Sequence, residues 1–483
     1  MWIFFENLIF LRYVQYRRLS ASLYGNFHSL RHIEIERYQS GRGDKKMTES
    51  GLDAVGSILN LTLGLLTLYL VQKNQSVRWN EKIAGLAFAW MFIGKSIVNM
   101  STYLIDSNSS GDIDFENVVA TTTVQFLQGM VMYSDEIFTT TIFILCLFYP
   151  IPLLRTERQI KIGLTVVFSF LIYRAIVFTA FGPNILFIPG AIYLLPGLVW
   201  GANYMRFRQL EVTQNIQDAK HIADVSLICL ILLMGGIWLY WPGMIFQANY
   251  FYTIDIWGGA LSSDIYDYSW QAFYAASVGL GICILFTELY CATKRRTSPV
   301  GIVFLSYFMI GFTGYFILSK TVTTGSSFDQ LQATWDMFTF SVHYDIMRPV
   351  IAMFILLNYG LVKAENPSDF RIAKTGTIVL VVVSTSVLLE LIQYIMPFSE
   401  IISAAILGII IAVGVGWEEK VFNNLITEFR PLNDILDEVH FATPDVQLEE
   451  SFSKKFNLTF IVYIGVSLLL AFVIGVTDGL VGG

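Results

Sequence analysis

Eight ionisable side chains lie inside or beside long apolar runs in this sequence: Lys95, Asp135, Glu136, Arg174, His343, Asp345, Arg348 and Glu390. An ionisable group at membrane depth is costly, which makes it a functional-site hypothesis by default. The carboxylates Asp135, Asp345 and Glu390 suit binding of a cation or a proton. Lys95, Arg174 and Arg348 suit holding those acids in place, or holding an anionic solute. Glu136 and His343 stand beside them. The mixture of signs is what burial demands, because an unpaired ion in low dielectric costs several kcal/mol.

Two of these acids occupy matching places in a repeated stretch. VMYSDEIFTTTIFILCLFY, residues 131–149, returns 210 positions later as SVHYDIMRPVIAMFILLNY, residues 341–359. Asp135 aligns with Asp345 and Tyr149 with Tyr359. Weaker echoes keep the order: Leu68-Tyr69 and Lys73 with Leu289-Tyr290 and Lys294, Gly85 with Gly301, Lys161 with Lys374, and Trp200 with Trp417. Apolar helices resemble one another by composition, so the constant order carries this reading. Six spans per half would make the halves parallel repeats, one known way of building a transporter.

Counting along a helix from the nearest basic anchor gives depth. Lys95 and Arg174 come out roughly 20 Å deep, Glu390 roughly 24 Å, Asp345 roughly 27 Å and Asp135 roughly 30 Å. All are expected in the outer half of a bilayer or at its outer edge. Plainer readings stand beside the functional one. Asp135, Glu136, His343, Asp345 and Arg348 would sit in interface water if their helices began there. The stretch VVATTTVQFLQGMVMY before Asp135 looks too apolar for an open loop. Lys95, Arg174 and Glu390 would serve as structural ion pairs or snorkel outward. Glu288, roughly 9 Å from Lys294, is assigned to the inner interface.

The elements that must position these groups follow from composition. The chain has 483 residues, 54% hydrophobic and only 14% charged, with net charge −7 and pI near 5.4. About 20 apolar residues cross the ~30 Å hydrocarbon layer as a helix. The expected fold is all-α, a polytopic helical membrane protein of about twelve transmembrane helices in two parallel six-helix repeats. Spans are expected at 52–72, 83–105, 125–154, 162–182, 185–205, 222–246, 271–293, 299–319, 338–362, 375–397, 399–417 and 457–478. Lys and Arg collect in the odd-numbered loops, from Lys73, Arg78 and Lys82 through Lys294, Arg295 and Arg296 to Lys454 and Lys455. The even-numbered loops are acidic and hold Lys320 alone among basic residues. Cytoplasmic loops accumulate positive charge, so the odd loops are inside and both ends of the core outside.

Residues 1–46 break this pattern, being basic (Arg12, Arg17, Arg18, Arg31, Arg37) before a span entered from outside. An early start, with Met47 the true beginning, removes the conflict. A basic amphipathic surface helix and a targeting piece are the alternatives. The remaining organisation is a first half at 47–246, an acidic and aromatic outer loop at 247–270, and a second half at 271–483. That second half contains a cytoplasmic loop at 418–455. The loop's first part has apolar residues at helical spacing, suited to docking beneath the bundle. Pro189, Pro196 and Gly197 are expected to interrupt span five, and Pro349 span nine. Broken helices near charges are pointers to a transport site.

Cys146, Cys229, Cys283 and Cys291 show no zinc spacing. Phosphate-binding, HExxH and dinucleotide motifs are missing, and His221 and His343 fall at opposite faces, which argues against bis-His haem. No enzyme activity, cofactor, metal or nucleic-acid partner is expected. The expected partners are the lipid bilayer and a small ion or solute, and oligomeric state is left open. Two functional classes remain for this cell-membrane protein. One is a secondary transporter or permease for a small polar or ionic solute. The other is a membrane sensor or scaffold that signals through its cytoplasmic loop to a separate partner.

Overall fold

The computed structural model describes residues 49–73, 78–109, 118–181, 189–216, 219–239, 241–242, 265–321, 343, 446, 448–449 and 451–481. Among the described residues the chain is helical, without strands, and nine helices carry the architecture. They are α1 (Glu49–Lys73), α2 (Trp79–Ser109), α3 (Val118–Phe148), α4 (Glu157–Phe181), α5 (Pro189–Gln214), α6 (Ala219–Leu239), α7 (Ile265–Thr293), α8 (Pro299–Thr321) and α9 (Phe452–Val481). Seven of them, all but α5 and α8, are long and apolar enough to cross a membrane. The chain is a multi-pass membrane protein.

The basic segment 1–46, the spans expected at 338–362, 375–397 and 399–417, and most of the 418–455 loop lie outside the described residues. Several features differ from expectation, among them the end of α5 at Gln214 rather than 205. Helix α3 begins at Val118 and stops at Phe148, because Pro150 and Pro152 follow and cannot continue it. Helix α7 begins at Ile265, inside the stretch expected as outer loop. Helix α5 is unbroken, with Pro189 at its first position and Pro196 inside it. Pro189 costs nothing there, since a first-turn N–H has no helical acceptor. Pro196 removes one hydrogen bond, and Gly197 lets Met234 of α6 pack close against that turn.

The helix ends follow local chemistry. Thr156 and Gln159 form a reciprocal capping box that starts α4, Thr156 Oγ1 accepting from the Gln159 N–H while Gln159 Oε1 accepts from the Thr156 N–H. Ser298 caps α8 by accepting from the Gly301 N–H at 2.8 Å, with Pro299 next to it. Arg295, at φ 57°, closes α7: its N–H reaches the Ala292 carbonyl while the Arg296 N–H reaches that of Cys291. Asn215, at φ 59°, directly follows the last residue of α5.

Small residues set the closest packing. Gly64 of α1 lies against the Ala89 carbonyl and Ile93 of α2, and Gly94 of α2 against Ile137 of α3. Close approach of this kind drives association where lipid removes the hydrophobic advantage. Helix α9 returns to α3, where Gly129 meets Ala471 and Gly475 meets the Thr122 carbonyl. Helix α6 is apolar all round from Leu227 onward, and nearly every residue of it is buried. It is the pillar between α5, α7 and α8, with Trp238 edge-on to Phe304 at 4.9 Å. Val446 and Leu448, just before α9, pack on the same core. Glu449 pairs there with Lys455 at 2.7 Å and Lys161 at 3.6 Å, and its hydrogen bond from Lys455 holds the carboxyl below the usual carboxylate range.

Candidate functional site in the charged layer of helices α3, α4 and α5

Asp135 and Glu136 stand near the middle of the 31-residue α3. They are about 18–20 Å along the axis from Phe148, with more than four turns of helix on the other side. The outer-edge position expected for Asp135 is therefore corrected. Residues 149–156 are not helical, so counting 1.5 Å per residue from Arg155 overstated the depth. These acids do not begin a helix at the interface.

The Arg174 guanidinium of α4 pairs through Nη2 with Glu136 Oε1, both side chains being largely buried. Glu136 Oε2 is buried with no hydrogen-bond partner among the described residues. Arg174 thus answers Glu136 rather than Asp135. Asp135 is exposed and makes no side-chain hydrogen bond or ion pair with a described residue. Hydroxyls surround the pair. Thr139 meets the Tyr193 hydroxyl of α5 at 2.9 Å, Tyr133 meets Thr179 of α4 at 2.6 Å, and Tyr463 of α9 donates to the Tyr133 carbonyl at 3.1 Å. Gln125, Gln128, Asp135 and Thr139 fall on one face of α3 by helical spacing. Burial deepens along that face from half-buried Gln125 and Gln128 to Thr139, which Tyr193 covers, while Asp135 between them stays open.

The other sequence candidates fall elsewhere. Lys95 of α2 is half-buried and has no hydrogen bond or ion pair with a described residue. His343 is buried, its Nδ1 3.3 Å from the Tyr307 hydroxyl of α8, and its ring rests on Gly235 of α6. These contacts set it against α6 and α8. Asp345, Arg348 and Glu390 lie outside the described residues. Among the described residues no three His, Cys, Asp or Glu side chains gather as metal ligands.

A second charged cluster was not anticipated. Arg208 of α5, three residues past the span expected at 185–205, is fully buried. It grips Glu288 of α7 with two parallel bonds, Nε to Oε1 and Nη2 to Oε2, each 3.0 Å. Its Nη1 reaches Glu211 and its Nη2 also reaches the Arg296 carbonyl at 2.8 Å. The Tyr204 hydroxyl donates to Glu288 Oε1 at 2.6 Å. Glu288, five residues before the basic-loop end of α7, is thus buried in an ion network whose members the sequence did not bring together. Gly301 makes room for that carboxylate at the start of α8. The sequence signal was Tyr204, Arg208 and Glu211 on one helical face.

No family profile, characterised protein or solved structure matches the chain.

Proposed function

We propose that this protein is a secondary transporter of the cell membrane for a small ionic solute, not an enzyme, with the ends of its core outside. The observation carrying this reading is the pairing of Arg174 with Glu136 near the middle of α3, beside an open Asp135. A buried pair fixes the geometry of the layer. An adjacent carboxylate reached along a polar helix face attracts a cation or proton. The duplicated architecture is part of the proposal. It is supported by a correspondence of packing: α9, the twelfth expected span, lies on the third, and His343, from the ninth, lies on the sixth.

Reconstitution into vesicles tests it. Cation or proton gradients should collapse faster with the protein than without, and Asp135→Asn should remove the difference while the protein stays folded. Equal leak in both preparations rejects transport.

A sensor is the second reading, favoured by the clipping of Glu449 to Lys161, which ties the end of the 418–455 loop to the bundle. In that case vesicles stay tight, and ligand binding changes protease access to the loop.

A further inference from the structure

The Arg208 cluster joins two hairpins that belong to different halves of the proposed duplication. Tyr204, Arg208, Glu211 and Asn215 come from α5 and the turn leading to α6. Glu288, Arg296 and Thr297 come from α7 and the turn leading to α8. Beyond the Arg208–Glu288 fork, Arg296 donates to the Glu211 carbonyl and, at 2.6 Å, to Asn215 Oδ1. Lys220 of α6 approaches the Thr297 carbonyl at 3.4 Å. Asn215 and Arg295, the non-glycine residues of positive φ among the described residues, each stand in one of the two turns so joined. Every one of these ties lies at the basic-loop ends of the helices. Near the middle of α3 Asp135 stays open, and its polar face continues through Gln128 and Gln125 toward the end away from the basic loops.

We propose that this cluster is the inner gate of the protein, drawn closed, and that its release admits water from the basic-loop side while closing the path to Asp135. The inference rests on the transporter reading above. The physical case is the character of the tie. An apolar seam of equal extent would resist opening in proportion to the surface exposed to water. A buried ion network sits near break-even, because charges that lose each other regain hydration. Bidentate Arg–carboxylate geometry adds directional fit, so the closed form is well defined although its net advantage is small. Such a tie can hold one conformation and yield to a modest differential binding energy. The cluster also contains its own reporter, since Cys291 is buried beside Arg208.

The experiment uses the full chain with exposed Cys283 changed to Ser, in membrane vesicles of known sidedness. A membrane-impermeant maleimide is applied from the basic-loop side, and modification of Cys291 is read by peptide mass. In a parallel chain carrying Gln128→Cys, labelling is read from the opposite side. Glu288→Gln should speed Cys291 modification about tenfold or more and slow labelling at position 128, the reciprocal signature of a population shift. Glu211→Gln, which keeps the fork, should give a smaller shift in the same directions, and it carries the test if Glu288→Gln does not fold. Unchanged Cys291 labelling in a folded variant overturns the gate. Faster labelling at both positions overturns it too, since that describes a loosened bundle. The transporter reading fails separately: reciprocal labelling without ion flux in the Cys283→Ser vesicles keeps the gate and removes transport.

Discussion

Trp90 of α2 donates its indole N–H to Asn457 Oδ1 of α9 at 2.8 Å, joining residues 367 positions apart. The same indole stacks on Phe460 with centroids 5.2 Å apart. Removing the donor by Trp90→Phe should lower stability in detergent by about 1–2 kcal/mol, the range of polar contacts between membrane helices. Asn457→Ala should cost a similar amount, and the double variant less than the two together. Strict additivity in that cycle would show that the bond contributes nothing.

The charged layer separates a structural acid from an available one. Glu136→Gln leaves the buried Arg174 charge without its Glu136 counter-charge, a loss of about 3–5 kcal/mol. Asp135→Asn, at an open position, should cost about 1 kcal/mol or less. Thermal unfolding in one detergent compares them directly. Equal losses would contradict the division of labour between the two acids.

Gly235 and Gly279 offer a matched pair of alanine substitutions. A Cβ at Gly235 would meet His343 Cε1 at 2.5 Å and Nε2 at 3.1 Å, whereas one at Gly279 meets nothing within 4 Å. Gly235→Ala should therefore destabilise by about 1–3 kcal/mol through overpacking. Gly279→Ala should be neutral, or stabilise by up to about 1 kcal/mol through helix propensity. The ranking of the two melting temperatures checks the contact between α6 and His343.

Sidedness is tested at the two ends of α7. Cysteine placed at Ile265 should label from outside intact cells, and cysteine at the exposed Arg295 only after permeabilisation. The reverse pattern would invert the assignment of the basic face to the cytoplasm.

What the sequence revealed depended on the range of the physics involved. Apolar length is local, so the runs that became α1, α2, α4, α6, α7 and α9 were legible from composition. The start of α3 was missed because Thr121, Thr122 and Thr123 weaken its hydropathy, although hydroxyls near a helix end are readily accommodated. Arg174 and Glu136 were both suspected, but their pairing depends on how α4 rotates against α3. Arg206 and Arg208 looked alike in sequence, two basic residues closing a span. Only Glu288, 80 positions away, makes Arg208 a buried residue. A close reader could have noted its i,i+3 partner Glu211, but a local pair does not reveal the third member.

The return of α9 to α3 sets an order of events during synthesis. Trp90, the Tyr133 carbonyl and the small face around Gly129 leave the ribosome long before Asn457, Tyr463 and Ala471 exist. Until then, the early helices must hold these groups against lipid, water or the insertion machinery. A polypeptide halted before residue 452 would therefore retain an unfilled groove on α2 and α3, open to quality-control recognition, however well α1–α8 had inserted. Supplying the α9 segment as a separate chain would be the natural rescue, since the groove waits for it in the membrane plane.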